Sequence, residues 1–144
     1  MKNYIPLVLS VIIFLYISTP TTTQAQDVFE PNNFFFEATE IQVGETIEAT
    51  IFNTGDSDVY RFSTDQSGVI VVNVSAIPTV NLWVGMYDSN ENFLFNFQDG
   101  ANEPVNFISL RNRGEYFLRV IDPGFDNSST VPYRLTVNLN LDDR

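Results

Sequence analysis

The chain contains no cysteine and no histidine, and its only lysine is Lys2. Without cysteine there is neither a disulfide framework nor a thiol nucleophile, so the fold must rest on its hydrophobic core. Without histidine the usual general base and the usual transition-metal ligand are missing, and no Ser-His-Asp, Cys-His or zinc arrangement can be built. The lack of lysine beyond position 2 removes the ammonium nucleophile of Schiff-base chemistry. What remains for catalysis is a carboxylate pair of the glycosidase kind, and 18 acidic residues in so short a chain make accidental pairs unavoidable. The chain is therefore read as non-enzymatic. Helical periodicity is missing too, apart from a turn around Phe36–Thr39.

Positive charge is scarce: seven basic residues face 18 acidic ones, for a net charge of −11. The first 25 residues carry Lys2, an apolar run from Tyr4 to Ile17, and a polar stretch ending in Thr23-Gln24-Ala25. That order, with small residues at the cleavage point, predicts a secretory signal peptide over residues 1–25. The apolar run is broken by Pro6 and Ser10 and falls short of the roughly 20 residues a membrane span needs. No cysteine follows it to accept a lipid anchor. The mature chain is expected to be secreted or periplasmic, with a net charge of about −12 once Lys2 is gone. Such a field opposes nucleic acid and anionic membrane at every approach, and it attracts cations.

From Ile47 onward, short apolar runs of period two are cut every eight to twelve residues by Gly, Asn, Asp or Pro, the signature of an antiparallel sandwich or barrel. Eight strands are expected: Thr46–Phe52, Val59–Thr64, Val69–Ala76, Leu82–Tyr87, Phe93–Gln98, Val105–Leu110, Glu115–Ile121 and Tyr133–Leu139. The clearest alternation places Tyr133, Leu135, Val137 and Leu139 on one face and Arg134, Thr136 and Asn138 on the other. Turn chemistry joins the strands at Asn53-Thr-Gly-Asp56, Asp88-Ser-Asn90, Asp99-Gly100, Arg113-Gly114 and Asp122-Pro-Gly124. There is no internal repeat, so the chain divides into the leader (1–25), a lead-in (26–41) and one β-domain (42–144). Asn73-Val-Ser75 and Asn127-Ser-Ser129 match the glycosylation sequon, a match short enough to arise by chance.

An ordered set of motifs runs through the mature chain. Glu30-Pro31-Asn32-Asn33 is followed by Ala38, Ile41 and Gly44, then by Gly55-Asp56-Ser57-Asp58-Val59-Tyr60-Arg61-Phe62. Leu82 with Met86-Tyr87-Asp88, Gly114-Glu115-Tyr116-Phe117-Leu118-Arg119-Val120 and Tyr133-Arg134-Leu135-Thr136-Val137 complete it. In this order and spacing the chain resembles the bacterial pre-peptidase C-terminal domain, a family that includes the collagen-binding domains of clostridial collagenases. The resemblance implies an all-β, single antiparallel β-sandwich of jelly-roll type, a module usually appended to secreted peptidases and other extracellular enzymes. A fold hosts many roles, so function must come from sites.

Two sites are candidates. Asp27, Glu30, Asn32 and Asn33 in the lead-in, with Asp56 and Asp58 in the turn before the second expected strand, form an oxygen-rich set of the kind calcium takes. The resemblance carries calcium ligation to Glu30, Asn32, Asn33, Asp56 and Asp58. Asn33 stands where the family often has Asp, which removes one formal charge and argues against a second ion. The same residues also read as ordinary turn caps.

The second candidate is aromatic. If Leu82, Val84 and Met86 point inward, Trp83 and Tyr87 point outward, with Phe117 near them, and such a surface suits a peptide or a sugar. Phe93, Phe95 and Phe97 alternate regularly enough to be all core or all surface. The expected role is a non-catalytic binding or accessory module for an extracellular protein or polysaccharide. A folding or inhibitory partner for a separately encoded secreted peptidase is the alternative, and a self-assembling surface component the third.

Overall fold

The computed structural model describes residues 27–141, so the expected signal peptide lies outside the described residues. Among the described residues there are nine strands: β1 (Thr39–Glu40), β2 (Thr46–Ala49), β3 (Ser57–Thr64), β4 (Gly68–Val74), β5 (Trp83–Asp88), β6 (Phe93–Gln98), β7 (Val105–Arg111), β8 (Gly114–Ile121) and β9 (Tyr133–Leu141). They form two sheets, ordered β1-β3-β8-β5-β6 and β2-β9-β4-β7. With the two-residue β1 set aside, the antiparallel pairs nest: β2 with β9, β3 with β8, β4 with β7, β5 with β6. Nested pairing distributed over two sheets is the jelly roll. Among the described residues no helix is long and apolar enough to cross a membrane.

Three local differences from the sequence reading have physical causes. β1 pairs with β3 in parallel, so the sandwich is not wholly antiparallel; a two-residue strand carries no periodicity to betray it. β2 stops at Ala49 rather than Phe52, because the backbone beyond it bonds to carboxylates. Asp27 Oδ2 accepts the Thr50 N–H at 2.7 Å, and Asp56 Oδ2 accepts that of Phe52 at 2.6 Å. The third difference is a bulge in the β5–β6 pair: Met86 faces Phe95 but Tyr87 faces Phe93, leaving Leu94 as the extra residue. The bulge divides the three phenylalanines, which were expected to share one face. Phe95 and Phe97 pack on Phe107 of the other sheet, with ring centroids 5.3 and 5.0 Å away, while Phe93 turns outward beside Tyr87.

The core between the sheets follows the alternation. Tyr60, Phe62, Leu118 and Val120 from the first sheet meet Ile70, Val72, Tyr133, Leu135 and Val137 from the second. Burying this much apolar surface without disulfides supplies the driving force, at roughly 25 cal/mol per Å².

A candidate metal centre and an aromatic outer face

Residues 27–38 add no strand to the sandwich: Asp27 bonds the chain beyond β2, Phe29 packs on Tyr60, the Asn32 carbonyl bonds β3, and Phe35 lies on the outer side of the first sheet against Tyr87 and Phe117. Asp27 begins the attachment: Oδ1 accepts the Phe29 N–H, and Oδ2 accepts the Thr50 N–H. The Asn32 carbonyl accepts the Val59 N–H at 2.8 Å, and Asn33 Oδ1 accepts the Ser57 N–H at 3.3 Å. Between them Glu30, joined to Pro31 by a cis peptide bond, uses Oε2 to accept the Asn32 N–H and an N–H of the Asn33 amide. Facing this segment, the Asn53–Asp56 turn closes through a 3.1 Å bond from the Asp56 N–H to the Asn53 carbonyl. Gly55 takes φ +88° within it, a value that disfavours any side chain.

The result is that Glu30, Asp56 and Asp58 each place a carboxylate oxygen within 4.8 Å of the others. Two unit charges about 4 Å apart near a protein surface repel by about 4 kcal/mol, so three carboxylates here call for protons or a cation. Burial, followed by the charge of Asp56, pushes Glu30 up to about 7. Burial pushes Asp58 up to about 8, against the opposing effect of the Tyr133 hydrogen bond. That hydroxyl donates to Asp58 Oδ2 and lies 2.8 Å from the Tyr60 hydroxyl, a polar chain running into the core. Burial raises both tyrosines well above their ordinary value.

Two observations bear on whether a cation fits. Asp58 Oδ1 is buried without a hydrogen-bond partner, and so are both polar atoms of the fully buried Asn32 side chain. Buried polar atoms without partners are rare, and each calls for an explanation. The donors gathered here are all oxygen, three of them carboxylate, which is the chemistry of a hard divalent cation such as calcium. The set fits one. Asn33 stands beside the set, its oxygen accepting from the Ser57 N–H and its amide nitrogen donating to Glu30. Tyr133 and Tyr60, which the sequence reading assigned only to strands, support Asp58 from behind. Nothing in the sequence signals a contact 75 positions away.

On the outer face of the first sheet, Trp83, Tyr87 and Phe117 do share a side, but they do not share exposure. Phe117 is only 6% exposed, covered by Phe35 at 5.4 Å in edge-to-face contact, so it is no part of an open surface. Phe35, from the 3-10 turn Phe35–Glu37, meets Tyr87 as well, at 4.9 Å. The most open aromatics are Phe93, which the alternation left as core or surface, and Phe34 and Phe36, which no expectation covered. Phe93 is 53% exposed, and Phe34 and Phe36 are exposed and stacked on each other at 5.3 Å. Phe93 lies 6.3 Å from Trp83 with the ring planes 15° apart.

Among solved structures, the chain is similar to the pre-peptidase C-terminal domain of collagenase from Bacillus anthracis. The TM-score is 0.57 at 21% identity, over 70% of this chain and 94% of that one. The fold is that of a pre-peptidase C-terminal domain. The Yersinia pseudotuberculosis-derived mitogen also aligns, with a TM-score of 0.48 and 9% identity over 69% of this chain and 88% of that one. No protein-family model and no curated protein matches the chain. Within the pre-peptidase C-terminal fold, the carboxylate cluster and the aromatic face lie at the two ends of one short segment: Glu30 belongs to the first, and Phe34 to Phe36 flank the second.

Proposed function

We propose that the chain acts outside the cytoplasm, secreted or periplasmic, as a non-catalytic binding or accessory module. In this reading its aromatic outer face engages a protein or polysaccharide surface, and calcium fastens the lead-in to the sandwich. The observation that carries it is the meeting of Glu30, Asp56 and Asp58 beside the buried, unpartnered Asn32 side chain, with Asp58 Oδ1 unpartnered as well. Glu30, Asp56, Asp58 and Asn32 would hold the ion, and calcium, when bound, would neutralise the mutual repulsion of the carboxylates. Everything else the segment does belongs to the chain itself. Asn32 and Asn33 bond the start of β3, and Phe35 seals Phe117 and Tyr87. A pre-peptidase C-terminal fold with a sheet covered on its outer side by its own leading segment suits a module that presents a fixed surface.

The test is a pull-down with the exported protein from its own culture supernatant, in millimolar calcium and in chelator. The expected result is a polysaccharide or protein partner captured in calcium and retained less well in chelator. Absence of any partner under both conditions contradicts the binding role, and a captured peptidase as sole partner favours an inhibitory or folding role instead.

A further inference from the structure

We infer that the half-buried indole of Trp83, with the exposed Phe93 beside it, is a saccharide platform that takes the C–H face of a pyranose ring in an uncharged polysaccharide. The inference rests on the proposed binding role and narrows its partner from protein or polysaccharide to polysaccharide.

The first support is how Trp83 lies. It shares the outward side of β5 with Gly85 and Tyr87, and a methyl group at position 85 would overlap the Trp83 ring carbons Cη2 and Cζ3. The six-membered ring of the indole therefore rests on the bare backbone of Gly85. The neighbouring outward positions, Tyr87, Phe117, Arg119, Ile121, Asn96 and Gln98, all carry side chains, so this glycine makes a floor one ring wide. The outer edge of the indole thus sits over Gly85, and Trp83 is half-buried, with part of its surface open to solvent. A tryptophan anchoring a protein interface is instead enclosed in a well-packed pocket on the partner. Phe93, 53% exposed and with its plane 15° from that of Trp83, adds a second ring beside it.

The rim is the second support. Gly85 lies between Asn96 on β6 and Arg119 on β8, and Trp83 lies beside Gln98. Amide and guanidinium groups donate and accept in the plane around an aromatic surface, where the equatorial hydroxyls of a stacked sugar project. Arg119 is held in place by a 2.8 Å bond from Nε to Ser57 Oγ, and it lines a recess of about 170 Å³ with Asn33, Phe34, Phe35 and Val59.

Charge is the third. None of the outward residues around Trp83 is a carboxylate, although the chain as a whole carries −11. The bulk field repels polyanions, and the charge at the rim is the Arg119 guanidinium, a hydrogen-bond donor that sugar hydroxyls can also meet.

Trp83 is the only tryptophan of the chain, so its fluorescence reads the platform directly. The experiment titrates the exported protein, in calcium, with soluble xylan, galactomannan, mixed-linkage β-glucan and dextran, and with pectin as the acidic comparison. The expected result is a saturable change in Trp83 emission with at least one neutral polymer and none with pectin. Phe93→Ala, which shortens the platform, and Gly85→Ala, which lifts the indole without removing it, should each weaken that binding about tenfold while leaving the melting curve close to the parent's. No emission change with any neutral polymer overturns the inference, as does a change that both variants leave untouched. A protein partner from the supernatant pull-down that alone alters Trp83 emission overturns the saccharide assignment and leaves the binding role standing. An empty pull-down contradicts both.

Discussion

On the outer face of the second sheet, β4, β7 and β9 present asparagine, threonine and bare aliphatic side chains to solvent, and Ile108 is 70% exposed. Charge appears there only at one end, as the Glu48–Arg134 pair at 2.8 Å. On the outer face of the first sheet the corresponding positions Val59 and Phe117 are buried, beside a segment that contributes to neither layer of the jelly roll. A sandwich needs only its inner faces to fold, so burial on one outer face has to be explained by whatever holds the covering segment down. That is the backbone bonding of Asn32 and Asn33, and a cluster of carboxylates that repel one another unless a cation or protons join them.

Mutation of the two faces is the strongest way to break this comparison. Phe117→Ala should lose about 3–5 kcal/mol, as a core phenylalanine does, whereas Ile108→Ala should stay within about 0.5 kcal/mol of the parent. Urea unfolding of both variants decides it, and equal effects would mean that the lead-in does not bury the first sheet.

A smaller effect is expected behind the carboxylates. Tyr133→Phe keeps the ring but removes the donor to Asp58 Oδ2 and the partner of the Tyr60 hydroxyl. Leaving a buried acceptor unmet should lower stability by about 1–3 kcal/mol. A variant as stable as the parent would show that the polar chain into the core does not support the cluster.

The pH dependence has a fixed sign. Between the ordinary carboxylate range near 4 and the raised values of about 7 for Glu30 and about 8 for Asp58, the folded protein keeps protons that the unfolded chain has released. Stability without divalent cation therefore falls as pH rises through that window and levels off above it. Calcium competes with those protons, so its binding should tighten over the same range. Urea midpoints in chelator at pH 5 and pH 8 check the sign, and a higher midpoint at pH 8 would reverse it.

The sandwich was legible because its alternation is local: Tyr133, Leu135 and Val137 declare an inner face within five residues, and so do Tyr60 and Phe62. What escaped was set by distant partners or by one-residue irregularities. Alternation through Phe93, Phe95 and Phe97 is real in the sequence, yet the bulge at Leu94 turns one of them away from the other two. The end of β2 is decided by Asp27 and Asp56, which take the backbone N–H groups of Thr50 and Phe52. Among the site residues, Glu30, Asp56 and Asp58 were readable as a motif, since oxygen-rich turns keep their spacing in sequence. Phe117 was misjudged as open because the residue that covers it, Phe35, lies in a segment with no strand period. Gly85 gave no sign that an indole would lie across it.

Thermal unfolding at pH 8 in chelator, in millimolar calcium and in millimolar magnesium tests the cation site most directly. With free calcium about 100-fold above its dissociation constant, binding to the folded state alone adds about 2.7 kcal/mol, or on the order of 10 °C in a domain of this size. The expected result is that rise with calcium, a smaller one with magnesium, and its loss in Asp58→Asn. Identical melting curves in chelator and in calcium would contradict it.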